Sequence, residues 1–156
     1  MGIKSFQGAR AKEVVKKEYT TPILVADYMT KKLVTFKPDQ SILEVMELFA
    51  KNHISGGPVL DDNGFLVGII SEADCMKQIS ESRYFNMPIL DKRVDTYMTT
   101  TVETIPDDIS IFDAAAIFDK HNRRRLPVMK NGILVGQISR KDIVVAALKL
   151  SGQNWK

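Results

Sequence analysis

Residues 64–74 and residues 132–142 are nearly the same phrase. Seven of eleven positions are identical: Gly64/Gly132, Leu66/Leu134, Val67/Val135, Gly68/Gly136, Ile70/Ile138, Ser71/Ser139 and Asp74/Asp142. The likeness extends upstream. Tyr28-Met29-Thr30 aligns with Tyr97-Met98-Thr99, Ser41-Ile42 with Ser110-Ile111, Phe49 with Phe118, Lys51 with Lys120 and Pro58-Val59 with Pro127-Val128. One residue is lost where Asp61-Asp62-Asn63-Gly64 faces Lys130-Asn131-Gly132. A repeat this long constrains the fold more than any composition does. Two copies point to a pseudo-symmetric pair, because a solenoid needs at least about three units to bury its faces.

Each copy reads as β-α-β-β-α. Leu33-Val34-Thr35-Phe36 is a short β-prone run. Ser41-x-x-Glu44 opens an amphipathic helix with Ile42, Met46 and Phe49 on one face, and Ser110-x-x-Asp113 opens its counterpart with Ile111, Ala115 and Phe118. Gly57 to Leu60 reads as a strand, Asp61 to Gly64 as a hairpin turn, and Phe65 to Ile70 as an apolar strand covered on both faces. A second helix follows from Ser71; Asn131-Gly132 makes the second hairpin. The expected division is an N-terminal extension 1–22, repeat 1 over 23–82, a linker 83–92, repeat 2 over 93–150 and a tail 151–156. Within the extension, Ala9 to Glu18 suits a charged helix.

Composition then removes function classes. With 44% hydrophobic residues the chain has enough for a packed core, and a net charge of +3 does not argue for nucleic acid. No apolar run approaches the roughly 20 residues that span a membrane. The chain begins Met-Gly, but Phe6 stands where a myristoylation pattern needs Ser or Thr. The single cysteine, Cys75, excludes an internal disulfide and fits a reducing cytoplasm. His53 and His121 have no metal-ligand spacing with each other or with Cys75, and Cys75 reads as a buried structural thiol. No phosphate-loop, dinucleotide-binding or metalloprotease motif is present. The expectation is a chain with no chemistry of its own and no required cofactor or metal.

Ser71-x-x-Asp74 and Ser139-x-x-Asp142 have two physical readings. One is a capping box, in which the acid reaches back to the cap N–H. The other uses the same place: a helix start exposes N–H donors and a positive dipole end to an anion.

The tandem order of Tyr-Met-Thr, capped helix, Pro-Val strand, Gly-x-Leu-Val-Gly-x-Ile-Ser and a following Asp resembles the CBS (cystathionine β-synthase) domain pair, or Bateman module, over roughly residues 24–149. The resemblance implies an α/β (α+β) fold of two β-α-β-β-α units packed sheet to sheet about a pseudo-two-fold axis, with two equivalent clefts. Such clefts commonly hold an adenosine-containing ligand: AMP, ADP or ATP in the first place, S-adenosylmethionine or NAD in the second. It assigns Asp74 and Asp142 to ribose and Ser71 and Ser139 to the vicinity of phosphate. One cleft would gather Thr30, Val34, Ile54 and Ser55 with Ser139 and Asp142. The other would gather Thr99, Glu103, Arg123 and Arg124 with Ser71 and Asp74. In the γ subunit of AMP-activated protein kinase, which this region resembles, basic residues at the places of Arg124 and Arg125 contact phosphate; the alternative for the arginine run is a solvated basic loop. Arg123 to Arg125 lack interleaved aromatics and make a thin case for nucleic acid. The implied role is a sensor that signals to an unidentified partner protein; the alternative is a dimeric interaction scaffold with vestigial clefts. A homodimer is expected, from helix faces such as Ile42-Met46-Phe49 and Ile111-Ala115-Phe118 that one pair of sheets leaves uncovered.

Overall fold

The structure is a computed structural model that describes residues 23–84 and 92–154. The extension, including the helix expected over 9–18, lies outside the described residues. The elements in order are α1 (Val25–Tyr28), α2 (Ile42–Asn52), β1 (Gly56–Leu60), β2 (Leu66–Ser71), α3 (Glu72–Tyr84), α4 (Val94–Tyr97), β3 (Ile105–Pro106), α5 (Ile111–His121), β4 (Arg125–Lys130), β5 (Ile133–Ser139) and α6 (Arg140–Asn154). This is an α+β chain in which the order helix-helix-strand-strand-helix occurs twice, with the two-residue strand β3 added between the first two helices of the second copy.

The predicted stops and starts form. Ser41 Oγ accepts from Glu44 N at 3.3 Å and Ser110 Oγ from Asp113 N at 3.1 Å, so α2 and α5 are capped by their serines. Both end on a residue in the left-handed region, His53 (φ 53°) and Asn122 (φ 48°). In the first hairpin Asp61 Oδ1 accepts from Asn63 N and Phe65 N, both at 2.9 Å. Gly64 closes it at φ 84°, and Gly132 closes the second at φ 79°. Strands β1 and β2 pair antiparallel from Gly56↔Ser71 to Val59↔Gly68, with an irregularity between Val59 and Leu60. The second sheet has the order β3-β4-β5. In β2, Gly68 and Ile70 are buried while Val67 and Ile69 are half-buried, so both faces are covered, but unequally.

The expected strand Leu33–Phe36 is not one. Only Phe36 pairs, in a parallel bridge to Val59. Its N–H donates to Pro58 O at 2.9 Å and its carbonyl accepts from Leu60 N at 2.8 Å. Directly after it, Lys37 N donates to Gln40 Oε1 (3.0 Å) and Gln40 N to Lys37 O (3.1 Å), a turn that takes the chain off the sheet and into α2. The Phe36 ring is what fixes the segment: it is buried and meets Phe49 edge-on, with centroids 5.5 Å apart.

The chain forms two compact units. Unit 1 contains the described residues 23–29, 105–126 and 138–154; unit 2 contains 30–84, 92–104 and 127–137. Each unit is completed by the opening segment of the other repeat. In unit 1, Val25 N donates to Ile109 O and Ala26 N to Asp107 O, both at 2.9 Å, and Ile111 N donates to Ile23 O at 2.8 Å. In unit 2, Val94 N donates to Gln40 O and Asp95 N to Pro38 O, both at 2.9 Å, and Ile42 N donates to Lys92 O at 2.8 Å.

The two opening tyrosines then clamp the second helix of their unit by different chemistry. Tyr97 donates its phenol O–H to Glu81 of α3, and this bond, then partial burial, holds the phenol above its usual pKa. Tyr28 instead lies under the Lys149 ammonium of α6, 5.8 Å from the ring centroid.

The main core of unit 2 joins Phe36, Ile42, Val45, Phe49, Val59, Ile70, Cys75 and Val94. Each large apolar side chain so buried contributes about 1.5–3 kcal/mol. The helix faces expected to meet a second chain are therefore largely used inside the fold: Ile42, Phe49, Ile111 and Phe118 are buried, and Met46 and Ala115 half-buried. The exposed apolar side chains lie elsewhere, among them Val144, Val145 and Leu148 on α6.

Candidate functional site

Both Ser-x-x-Asp motifs occupy a strand-to-helix corner. Strand β2 ends at Ser71 and α3 begins at Glu72; β5 ends at Ser139 and α6 begins at Arg140. In unit 2, Ser71 N donates to Asp74 Oδ2 at 2.8 Å, Ser71 Oγ donates to the same oxygen at 3.0 Å, and Asp74 N donates to Ser71 Oγ at 3.4 Å. In unit 1, Ser139 N donates to Asp142 Oδ2 at 2.8 Å and Asp142 N to Ser139 Oγ at 3.2 Å. The capping box is thus formed in both copies. Among the described residues each box uses only Oδ2 of its carboxylate, which leaves Oδ1 as an acceptor. Asp74 is 7% exposed, whereas Asp142 is half-buried and more accessible.

The backbone around each corner is fixed in the same way. Glu72 N donates to Ser55 O at 2.9 Å, and Arg140 N donates to Arg124 O at 3.0 Å. Ser55 is therefore held beside the start of α3, and Arg124 beside the start of α6. The repeated threonines are fixed by paired backbone bonds. Thr99 and Ile69 exchange two bonds of 2.9 Å, and Thr30 and Gln137 exchange bonds of 2.8 and 2.9 Å. Each threonine thus pairs two residues upstream of a Ser-x-x-Asp motif. Unit 2 brings Ser71, Asp74, Thr99 and Ser55 to one corner. It also holds Val34, whose carbonyl lies against the Gly57 backbone, and Ile54, whose N–H donates to Phe49 O. Glu103 of the same unit is half-buried. Unit 1 brings Ser139, Asp142 and Arg124 together. Arg123 and Arg124 are exposed, and Arg125 is half-buried at the start of β4.

Gly68 stands where the surroundings leave no room for a side chain. A Cβ there would lie 2.7 Å from Met98 Sδ and 2.9 Å from Thr99 O. The glycine lets the Met98-Thr99 segment pair with β2, so within unit 2 it serves backbone approach between two parts of the protein. The pairing of Thr99 with Ile69 and of Thr30 with Gln137 was not visible in the sequence, because backbone bonds leave no side-chain signature.

Cys75 is buried, and burial followed by the nearby Asp74 and Glu72 carboxylates pushes its thiol pKa up. It stays protonated at neutral pH, as a structural thiol does. No group of three or more His, Cys, Asp or Glu side chains suited to a metal occurs among the described residues. No helix among them is long and apolar enough to cross a membrane.

Two repeats, each with a capped helix and a Ser–Asp corner, and each completed by the other's Tyr-Met-Thr segment, define a tandem pair of small repeated modules. The sequence matches the CBS domain family over residues 25–81 and 94–149, and the chain belongs to that family. It is 34% identical over 155 residues to the uncharacterised protein MJ1426 of Methanocaldococcus jannaschii, covering 81% of this chain and 92% of that protein. Other relatives are longer: the chain spans 38% of MJ1232 of the same organism and 22% of an inosine-5'-monophosphate dehydrogenase of Aquifex aeolicus. Among solved structures, CBSX2 in complex with AMP matches with a TM-score of 0.72 and 32% identity, over 83% of this chain and 99% of that one. The CBS domain pair of MJ0100, in complex with 5'-methylthioadenosine and S-adenosyl-L-methionine, matches with a TM-score of 0.68 and 28% identity, over 82% and 98%.

Proposed function

We propose that the chain is a non-catalytic regulatory module that binds an adenosine-containing ligand and passes its occupancy to a partner protein. The observation that carries this is the pair of Ser–Asp corners with matching geometry, each with a carboxylate oxygen outside its own box. A carboxylate one turn into a helix suits the two hydroxyls of a ribose, and the N–H groups at the helix start suit a phosphate. The CBSX2 and MJ0100 complexes with AMP, 5'-methylthioadenosine and S-adenosylmethionine support this choice of ligand class. The proposed ligand contacts are Ser71 and Asp74 at one corner and Ser139 and Asp142 at the other, supplemented by Thr30, Val34, Ile54, Ser55, Thr99, Glu103, Arg123 and Arg124, with Arg125 adding charge. AMP, ADP or ATP is preferred over S-adenosylmethionine or NAD because Arg forks suit phosphate. A thermal-shift panel of AMP, ATP, S-adenosylmethionine, NADH and adenosine tests the reading. A ligand at 100 times its Kd should add about 2.7 kcal/mol of stability. A panel in which none of these moves the melting temperature at millimolar concentration favours the scaffold with vestigial clefts.

The module acts as a homodimer in this reading. Val144, Val145 and Leu148 are 57, 41 and 67% exposed on one helix, an apolar stripe suited to a second copy. Light scattering at micromolar concentration should give twice the chain mass of 17.5 kDa. A mass of one chain excludes the dimer.

A further inference from the structure

The two Ser–Asp corners share a backbone but not a charge. In unit 1 the motif reads Ser139-Arg140-Lys141-Asp142; in unit 2 it reads Ser71-Glu72-Ala73-Asp74. The residue after each serine donates its N–H to the carbonyl of Arg124 in unit 1 and of Ser55 in unit 2. The unit 1 corner therefore gathers three cations, Arg124, Arg140 and Lys141, with the one carboxylate of Asp142. The unit 2 corner has the carboxylates of Glu72 and Asp74 and no cation at the matching places. The local charge is thus +2 at one and −2 at the other. Gly56 stands at the place of Arg125, and a Cβ there would lie 3.0 Å from Ile70 O, so the backbone sits close where the other copy carries an arginine. The Cys75 thiol registers the negative field of unit 2: after burial, the Asp74 and Glu72 carboxylates push its pKa up.

The serine hydroxyls differ as well. Ser71 Oγ donates to Asp74 Oδ2 at 3.0 Å, so its proton is committed inside the box. Ser139 Oγ accepts from Asp142 N at 3.2 Å, and its own proton has no acceptor among the described residues. A hydroxyl with an uncommitted proton can donate to a phosphate oxygen, whereas one already donating to a carboxylate offers only lone pairs. Charge and hydroxyl point the same way at each corner. Cations and a spare donor favour an anion in unit 1; carboxylates and a committed donor disfavour one in unit 2.

We infer that the two corners select ligands of opposite charge. The unit 1 corner favours a phosphate-bearing adenosine ligand, and the unit 2 corner favours an adenosine group without phosphate, neutral or cationic beyond its ribose. This deepens the ligand reading above and rests on it. AMP still reaches the unit 2 corner through its ribose, but more weakly than at the unit 1 corner. One chain then responds to two ligand classes at once.

Exchanging the charges tests this on side chains that lie at the surface, since Arg140, Lys141, Glu72 and Ala73 are all exposed. Arg140→Glu with Lys141→Ala writes the unit 2 charges into unit 1, and Glu72→Arg with Ala73→Lys does the reverse. Titration calorimetry of AMP, adenosine and S-adenosylmethionine into the full chain reads the result. The first exchange should weaken the tighter AMP site by roughly tenfold and leave adenosine within about twofold. The second should strengthen the weaker AMP site by roughly tenfold and weaken S-adenosylmethionine. The AMP difference between the parent and the first exchange should shrink with added salt, as a charge effect does and a packing effect does not. Saturable AMP and adenosine binding that neither exchange alters overturns the inference and leaves the ligand reading standing. No binding of any of the three by the folded parent overturns both.

Discussion

Asp142→Ala should weaken binding of AMP by roughly 10- to 100-fold and also lower stability by about 0.5–2 kcal/mol. Both losses are expected together because one carboxylate has two tasks. Its Oδ2 accepts from Ser139 N in the capping box, and Oδ1 is the oxygen assigned to the ribose. A hydrogen bond to a charged group is worth about 1.5–3 kcal/mol, which sets the size of the affinity loss. Asp74→Ala should follow the same pattern with the larger loss of stability, since Asp74 is buried and accepts from both Ser71 N and Ser71 Oγ. Asp142→Asn keeps an acceptor for the box but loses the charge, so its stability should recover more than its affinity. Arg124→Ala should weaken AMP and leave adenosine nearly unaffected. Titration calorimetry beside melting temperatures separates the tasks. Alanine variants that melt early but bind AMP as the parent does would reduce the two motifs to helix caps.

Gly68→Ala should destabilise the chain by about 1–3 kcal/mol, a large effect for one methyl group. The added Cβ would stand 2.9 Å from Thr99 O, and a backbone oxygen paired with Ile69 cannot swing aside as a flexible side chain can. The strain falls on the Met98-Thr99 segment, so affinity at the Ser71–Asp74 corner should fall with stability. Gly152→Ala is the control. Nothing lies within 4 Å of a Cβ there, and in a helix interior alanine is favoured by roughly 0.5–1 kcal/mol. Chemical denaturation of the two variants compares them directly. Equal stability of Gly68→Ala and the parent would mean that the Thr99–Ile69 pairing is not held as described.

Much of this fold is written locally. The Ser41 and Ser110 caps, the Asp61–Gly64 turn and the Asn131-Gly132 turn are short-range signals, and each formed where the spacing put it. The repeat multiplied their weight, since every signal occurred twice. What the sequence did not disclose depends on partners distant in the chain. Nothing in Tyr-Met-Thr says that the segment completes the unit of the other repeat; a four-residue helix and a few backbone bonds decide it. Leu33–Phe36 has strand propensity along its length, yet one buried ring and the following turn leave a single bridge. The helix faces of α2 and α5 were apolar because they fill the fold, and apolarity alone does not distinguish a core from an interface. At the site, Ser71, Asp74, Ser139 and Asp142 were legible because capping needs those side chains at that spacing. The ligand assignments for Thr30, Val34, Ile54 and Glu103 rest on resemblance, since backbone and apolar contacts with an adenine select few side chains.

The central claim is that this chain binds an adenosine ligand at its Ser–Asp corners. Isothermal titration of AMP into the parent chain and into the Asp74→Ala, Asp142→Ala double variant measures it most directly. Saturable binding to the parent, weakened at least about tenfold in a double variant that is still folded, is the predicted result. Equal binding by both proteins, or no binding of AMP, ATP, S-adenosylmethionine or NADH by the folded parent at millimolar concentration, would contradict it.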